Sequence, residues 1–346
     1  MSESTDLYRA AGVDIRAGDR AKRRIGELVR GTWTGASLGA IGAFGGMVRL
    51  PVDIPDAVLV ASTDSLGTKV MVAKLAGRHD TVGEDLVNHC VNDILVHGAR
   101  PIGFLDCFSC GRLDADVLAA VIEGAARGCR AHDMPLLGGE TAQLPDVYEP
   151  DDYDLSGTII GVVSEAEAIH GDRVAAGDAL VGYEASGFHT NGYTLVRRVV
   201  FDVMRLSLGD ELPGTGRSVA DVLLAVHRSY FAALWPVRHV VHALAHITGG
   251  GIPGNLNRVL PSSVDAVVEP SSWAVPAWCT AIQRGGGVEH EEMRRVFNLG
   301  IGMIAVCAPA DVDAVRAAAK SAGVATWVIG RVARGCGAVR WEGESG

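Results

Sequence analysis

The chain is short of aromatic rings, of positive charge and of long apolar runs, and each shortage closes off a class of protein. Phe, Trp and Tyr make up 5% of 346 residues, although hydrophobic residues of all kinds reach 48%. The core must therefore be built from Ala, Val, Leu and Ile, which suits helices packed on a sheet. Against 41 Asp and Glu there are 31 Lys and Arg, leaving a net charge of −10 and a pI near 5.5. That sign argues against nucleic acid or an anionic membrane surface as partner. An anionic small molecule would need cations or backbone N–H groups placed locally. No stretch approaches the ~20 apolar residues that span a bilayer. The opening "MSESTDLYRA" has neither a basic n-region nor an apolar h-region, so the expected location is the cytoplasm.

Cysteine supplies no framework either. The seven, at 90, 107, 110, 129, 279, 307 and 336, are neither dense nor evenly paired and are read as reduced thiols. Cys107 and Cys110 have C-x-x-C spacing, but a structural zinc usually takes four ligands and no second pair is spaced for it. The pair is read as two small, half-buried side chains. With no His/Cys set converging, zinc is not expected.

What the chain does have is punctuation. Short apolar runs closed by turn residues, 57–63, 102–108, 134–140 and 156–163, read as strands. Amphipathic spacing predicts helices over 82–97, 114–130, 194–206 and 219–234. A new strand starts over 178–185, and the polar "HGDRVAAGD" (170–178) marks the expected boundary between domains 1–169 and 170–346. Two domains suit this length, at roughly 100 to 200 residues each. The fold class is α/β in the broad sense that includes α+β. The segment "GASLGAIGAFGG" (35–46) holds five glycines and no Lys or Arg; it is either a plain surface loop or a backbone cradle for phosphate.

Acidic residues stand where strands end. In "STDSLGTK", Asp64 follows an apolar strand, Gly67 permits a tight turn, and Lys69 falls in the first turn of a helix, where N–H groups favour anions. The stretch lacks the spacing of a Walker A loop. It reads either as a carboxylate for Mg²⁺ beside a lysine for phosphate, or as an N-cap aspartate beside a solvated lysine. Asp85, His89, Asp93 and His97 share one helix stripe, with Asn88 and Asn92 beside it. Asp93 runs into the apolar "ILV", where Asn92-Asp93 would be odd without a polar task. "PLLGGET" closes a strand with Gly139, Glu140 and Thr141, and Asp106 interrupts "FLDCF". Hard oxygen donors at strand ends suit Mg²⁺ shared with nucleotide phosphates.

"HITGGGIPG" (246–254) literally satisfies G-x-G-x-x-G through Gly249, Gly251 and Gly254. A dinucleotide site needs a full helix after the turn, and Pro253 and Pro261 leave room for a stub. NAD is rejected; Thr248, Gly249, Gly250 and Gly251 read instead as backbone donors for a substrate or nucleotide phosphate. In "GFHTNG", His189 and Asn191 project from a glycine-flanked loop between a strand and a helix.

Taken in order, "YRAAGVDI", "TDSLGTK", "HDTVGEDLVNHCVNDILVHGARP", "FLDCFSCGRLD", "LLGGETAQLPDVY", "SGFHTNGYTLVR", "HITGGGIP" and "VEHEEMRRVFNLGIGM" closely resemble the phosphoribosylformylglycinamidine cyclo-ligases, also called aminoimidazole ribonucleotide synthetases. The resemblance covers nearly the whole chain. It implies a homodimer of two-domain subunits, the N-terminal mixed sheet forming a barrel across the dimer and the C-terminal half a separate α/β domain. The implied reaction is ATP-dependent closure of formylglycinamidine ribonucleotide to aminoimidazole ribonucleotide, ADP and phosphate in purine biosynthesis. By the same resemblance Asp64, Asp93, Asp106 and Glu140 are Mg²⁺–nucleotide carboxylates, and Lys69 is a phosphate contact. Gly45, Gly46, Gly139 and Thr141 line the ATP, while His189 and Asn191 serve substrate binding, with His189 also a proton-transfer residue. Ser65, Cys107, Cys110 and Arg112 depart from the usual pattern, which leaves room for a specialised paralogue. A superfamily small-molecule kinase and a non-catalytic nucleotide-binding scaffold are the competing readings.

Overall fold

The computed structural model describes residues 11–343; the leading decapeptide lies outside them. The chain forms two compact units, one of residues up to Ile54, Ala61–Cys90 and Pro101–Gly161, the other of Pro55–Val60, Val91–Arg100 and residues from Val162 onward.

In chain order the first elements are α1 (Ile15–Arg30), the short β1 (Ser37–Leu38) and β2 (Met47–Val48), β3 (Ala57–Ser65), α2 (Lys69–Ala76), α3 (Val82–Leu95), β4 (Arg100–Cys110), α4 (Ala115–Ala131), β5 (Leu136–Gln143) and β6 (Tyr153–Ser164). They build a four-stranded sheet in the order β3-β6-β4-β5, with β4 and β5 parallel. The four strands expected here form: three run a few residues past their expected bounds, and β5 starts two residues later and ends three later than expected. Helix starts follow capping chemistry: Asp14 accepts from the Ala17 N–H at the head of α1, and Asp114 from the N–H groups of Asp116 and Val117 at the head of α4. Helices α3 and α4 meet backbone to backbone. A Cβ on Gly83 would lie 2.0 Å from the Val121 carbonyl and one on Gly124 2.3 Å from that of Asp80, so no side chain fits at this crossing.

The second set is β7 (Ala179–Glu184), α5 (Tyr193–Arg197) running into a π-turn over Arg198–Val203, α6 (Val219–Leu223), α7 (Phe231–Leu234), β8 (Val241–His246), α8 (Gly251–Leu256), β9 (Val264–Val268), α9 (Ala277–Gly286), α10 (His290–Val296), β10 (Ile301–Cys307), α11 (Val312–Ser321), β11 (Thr326–Arg334) and β12 (Val339–Trp341). Six strands form one sheet, β12-β9-β11-β7-β10-β8, antiparallel except for β12 on β9. Both faces are covered. Leu180, Ala243, Ala245, Ile304 and Val306 pack into one apolar cluster; Val181, Tyr183, Leu244, Met303, Ala305 and Cys307 pack into another. That is why β10 reads "IGMIAVC" without alternation and is buried throughout.

The continuous helix expected over 219–234 does not form. It stops at Leu223 and restarts at Phe231, because the intervening chain bonds to the side chain of Asn92. Asn92 Nδ2 donates to the Arg228 carbonyl at 2.8 Å, and its Oδ1 accepts the Tyr230 N–H at 2.9 Å. These bonds replace the helical ones, and they are the polar task that Asn92 performs beside an apolar run.

Candidate functional site

At the end of β3 the Asp64 carboxylate accepts the Ser65 N–H through Oδ1 at 2.6 Å and meets His89 Nε2 through Oδ2 at 2.8 Å. Gly67, at φ +63°, then turns the chain into α2. Lys69 opens that helix as expected, but its ammonium is fully buried and lies 2.8–2.9 Å from both oxygens of an equally buried Asp85. Burial pulls its pKa down and Asp85 pulls it back up. This corrects the expectation of a lysine on the rim: in this conformation the cation has no open approach for a phosphate. Asp85 and His89, four residues apart on α3, do share a stripe, and the stripe serves the turn.

Asp106 on β4 lies opposite Gly139 of β5, and Cys107 opposite Glu140. A Cβ on Gly139 would sit 2.4 Å from the Asp106 carboxylate, so the glycine makes room for that side chain. Surrounding protein pushes the Asp106 carboxyl up to about 7, against a backbone hydrogen bond that pulls it down. Glu140 is exposed and accepts the Thr141 N–H at 2.7 Å. Among the described residues, Asp64, Asp106 and Glu140 do not bring three ligand oxygens within 4.8 Å of one another. Among the described residues these three carboxylates form no ready-made magnesium cage, in contrast to the expected convergence. Gly45 and Gly46 are exposed, and Gly46 passes so close to Leu137 that a Cβ would lie 2.6 Å from it. Cys107 and Cys110, three apart on a strand, point to opposite faces, and burial raises the Cys110 thiol to about 11.

In the second unit three loops come together. His189 is buried at φ +58° between β7 and α5, with Nε2 accepting the Ser186 N–H at 3.3 Å. Its ring stacks on that of His227, centroids 4.0 Å apart and planes 16° apart. His227, in the stretch held by Asn92, turns Nε2 to Nε2 of His246 at 3.1 Å. His246, the last residue of β8, places Nδ1 2.8 Å from Asp93 Oδ1. Asp93 is thus engaged by an imidazole. Asn191 approaches the glycine turn, its Oδ1 3.3 Å from where a Gly249 Cβ would be. In that turn Asn255 Nδ2 donates to the carbonyls of Thr248, Gly249 and Gly251. The N–H groups across those peptide planes, on Gly249, Gly250 and Ile252, therefore point away from Asn255. The helix that follows, α8, is the expected stub. The absence of a converging histidine set was the ground for excluding zinc, and the fold removes that ground. His227 carried no sequence signal, since it stands in no motif and its neighbours read as helix.

Residues 46–163 match the family described as AIR synthase related protein, N-terminal domain, and residues 175–342 its C-terminal domain. The phosphoribosylformylglycinamidine cyclo-ligase of Sorangium cellulosum is 47% identical over 330 residues, covering 94% of each chain. The chain belongs to the phosphoribosylformylglycinamidine cyclo-ligase family. Two solved structures share the fold of this cyclo-ligase family member at lower identity. A thiamine-monophosphate kinase from Stenotrophomonas maltophilia has a TM-score of 0.70 at 21% identity, covering 95% of this chain and 96% of the kinase. The hydrogenase maturation protein HypE in complex with ATP has a TM-score of 0.61 at 21% identity, covering 91% and 88%.

Proposed function

We propose that this chain uses ATP to close the imidazole ring of aminoimidazole ribonucleotide from formylglycinamidine ribonucleotide, releasing ADP and phosphate. The observation that carries the reading is the 47% identity to a named cyclo-ligase along 94% of both chains. The chemistry explains the need for ATP. A formamide oxygen leaves poorly; once it carries the γ-phosphoryl group it leaves as phosphate when an amidine nitrogen attacks the same carbon. Catalysis of this kind is mostly positioning and charge neutralisation.

In this reading the outward N–H groups of the Thr248–Gly251 turn hold a phosphate, Asn191 orients the substrate, and His189 moves a proton at the amidine. Gly45, Gly46, Gly139 and Thr141 approach the nucleotide, and nucleotide use is supported by the ATP-bound HypE of the same fold. Magnesium fits as an ion carried in on the triphosphate and completed by one or two carboxylates, drawn from the exposed Glu140 and from Asp64, whose partly exposed carboxylate would share its oxygens with His89 and the Ser65 N–H. It would offset phosphate charge. Lys69 is then a support for the Asp64 turn. We also propose a homodimer in the cytoplasm: β3 is a sheet edge with exposed Val58 and Leu59. Among the described residues no helix is long and apolar enough to cross a membrane.

The test follows ADP and aminoimidazole ribonucleotide together with purified full-length chain. Equal amounts of both, and no ADP without formylglycinamidine ribonucleotide, are expected. A stable phosphorylated product seen by phosphorus NMR would point to a kinase and overturn the ring-closing assignment.

A further inference from the structure

We infer that His227 is a positioning residue for the ring-closing reaction: it fixes the ring of His189 by a stack and ties down the loop by a hydrogen bond to Thr190. The inference rests on the reaction proposed above, in which His189 moves a proton. His189 is the residue that needs fixing. It is a non-glycine residue at φ +58°, a sparsely populated conformation that persists only where the surroundings over-determine it.

His227 supplies two of the constraints. Its ring lies on that of His189, centroids 4.0 Å and planes 16° apart, and its Nδ1 stands 3.4 Å from Thr190 Oγ1. A third comes from β10, where a Cβ on Gly302 would lie 2.4 Å from His189 Cε1; the glycine leaves that space to the ring. The Ser186 N–H is the fourth, and because His189 Nε2 accepts it at 3.3 Å, the proton of the neutral ring stands on Nδ1.

His227 can hold a neighbour because it is itself held. It is fully buried, and its Nε2 faces Asn92 Nδ2 at 3.3 Å and His246 Nε2 at 3.1 Å. Asn92 Oδ1 is committed to the Tyr230 N–H, which fixes the end of the amide that meets the imidazole. An amide nitrogen only donates, so His227 Nε2 accepts and its Nδ1–H donates to Thr190. With His189 Nε2 and both His227 nitrogens taken up in this way, the three rings offer no chelating set and act as a scaffold. It runs from Asn92 on α3 through His227 to the loop that carries His189 and Asn191.

The test measures kcat and KM on full-length chain. His227→Phe keeps a flat ring against His189 and removes both polar anchors; kcat is expected to fall at least tenfold with KM for ATP within twofold. Thr190→Val removes the same hydrogen bond from its other end, so the double variant should be little slower than His227→Phe alone. Thr190→Ser keeps the oxygen and should regain most of the rate lost in Thr190→Val. A His227→Phe enzyme with wild-type kcat, fully multiplicative losses, or a Thr190→Ser as slow as Thr190→Val overturns the role. If His227→Phe fails to fold, the two Thr190 variants decide. Imidazole ¹⁵N shifts of the wild-type chain, read without substrate, should show His227 protonated on Nδ1; protonation on Nε2 alone overturns the geometry. A wild type that forms no aminoimidazole ribonucleotide would instead sink the reaction, so the two failures are distinguishable.

Discussion

An ammonium with no exposed surface, 2.8 Å from a carboxylate that is buried with it, stays charged only through that partner. Lys69→Met should leave Asp85 uncompensated and cost about 3–5 kcal/mol, and a Lys69→Met/Asp85→Leu double variant should regain most of it. Urea unfolding reads both, and a single variant as stable as wild type would contradict the pairing. His132 gives the pH dependence. Burial lowers its pKa from 6.5 to about 4, so the folded state resists a proton that the unfolded chain accepts. Its contribution is complete above pH 6.5 and is lost as pH falls toward 4. His132→Gln should therefore keep more of its neutral-pH stability at pH 5 than wild type does; identical urea midpoints across that interval would refute this. At this scale the sequence was legible for residue type and silent on partners. Asp64 stands at a strand end as its spacing indicated, but nothing local says that His89 would occupy one oxygen, or that Lys69 would turn inward.

Elements were legible where local patterns and tertiary contacts agree. The apolar runs behind β3, β4, β5 and β6 form strands, and α3 and α4 follow their helical spacing. Agreement ends between Leu223 and Phe231, where helical periodicity is overruled by one asparagine more than 130 positions away in the chain. Asn92→Ala would orphan the Arg228 carbonyl and the buried Tyr230 N–H, at roughly 1–3 kcal/mol for each group. The expected result is a loss on the order of 2–6 kcal/mol, with hydrogen exchange at the Tyr230 amide accelerating as local opening replaces global unfolding as its route. Unchanged exchange there would show that the connection is held by something else. The histidine cluster was invisible for the same reason: its members meet through loops whose paths depend on Asn92 and on the sheet.

For the molecule as a whole, the units are discontinuous in sequence, with Val91–Arg100 grouped with residues from Val162 onward. Leu95 is fully buried in the cluster that contains Val181, Tyr183, Tyr230 and Leu244, and Asn92 and Asp93 hold Tyr230 and His246. A fragment starting at residue 170 lacks all three. It should bind the dye ANS and melt with lower cooperativity than the full chain, since losing the Leu95 side chain alone is worth roughly 2–5 kcal/mol. A cooperative, dye-silent fragment would mean that the second unit needs no upstream helix. Where the boundary was drawn rested on a polar stretch, and a polar stretch reports surface, not which buried residues a core recruits.

Of the seven cysteines, five are buried, Cys107 is half-buried, and Cys336 alone is exposed, in the turn between β11 and β12. Burial also lifts Cys110 and Cys307 to about 11, where little thiolate exists near neutral pH. A maleimide fluorophore supplied at one equivalent should therefore attach at a single position on the native chain, verifiable by peptide mass mapping. The unaltered sequence would then be ready for single-molecule fluorescence without a cysteine being engineered in or out.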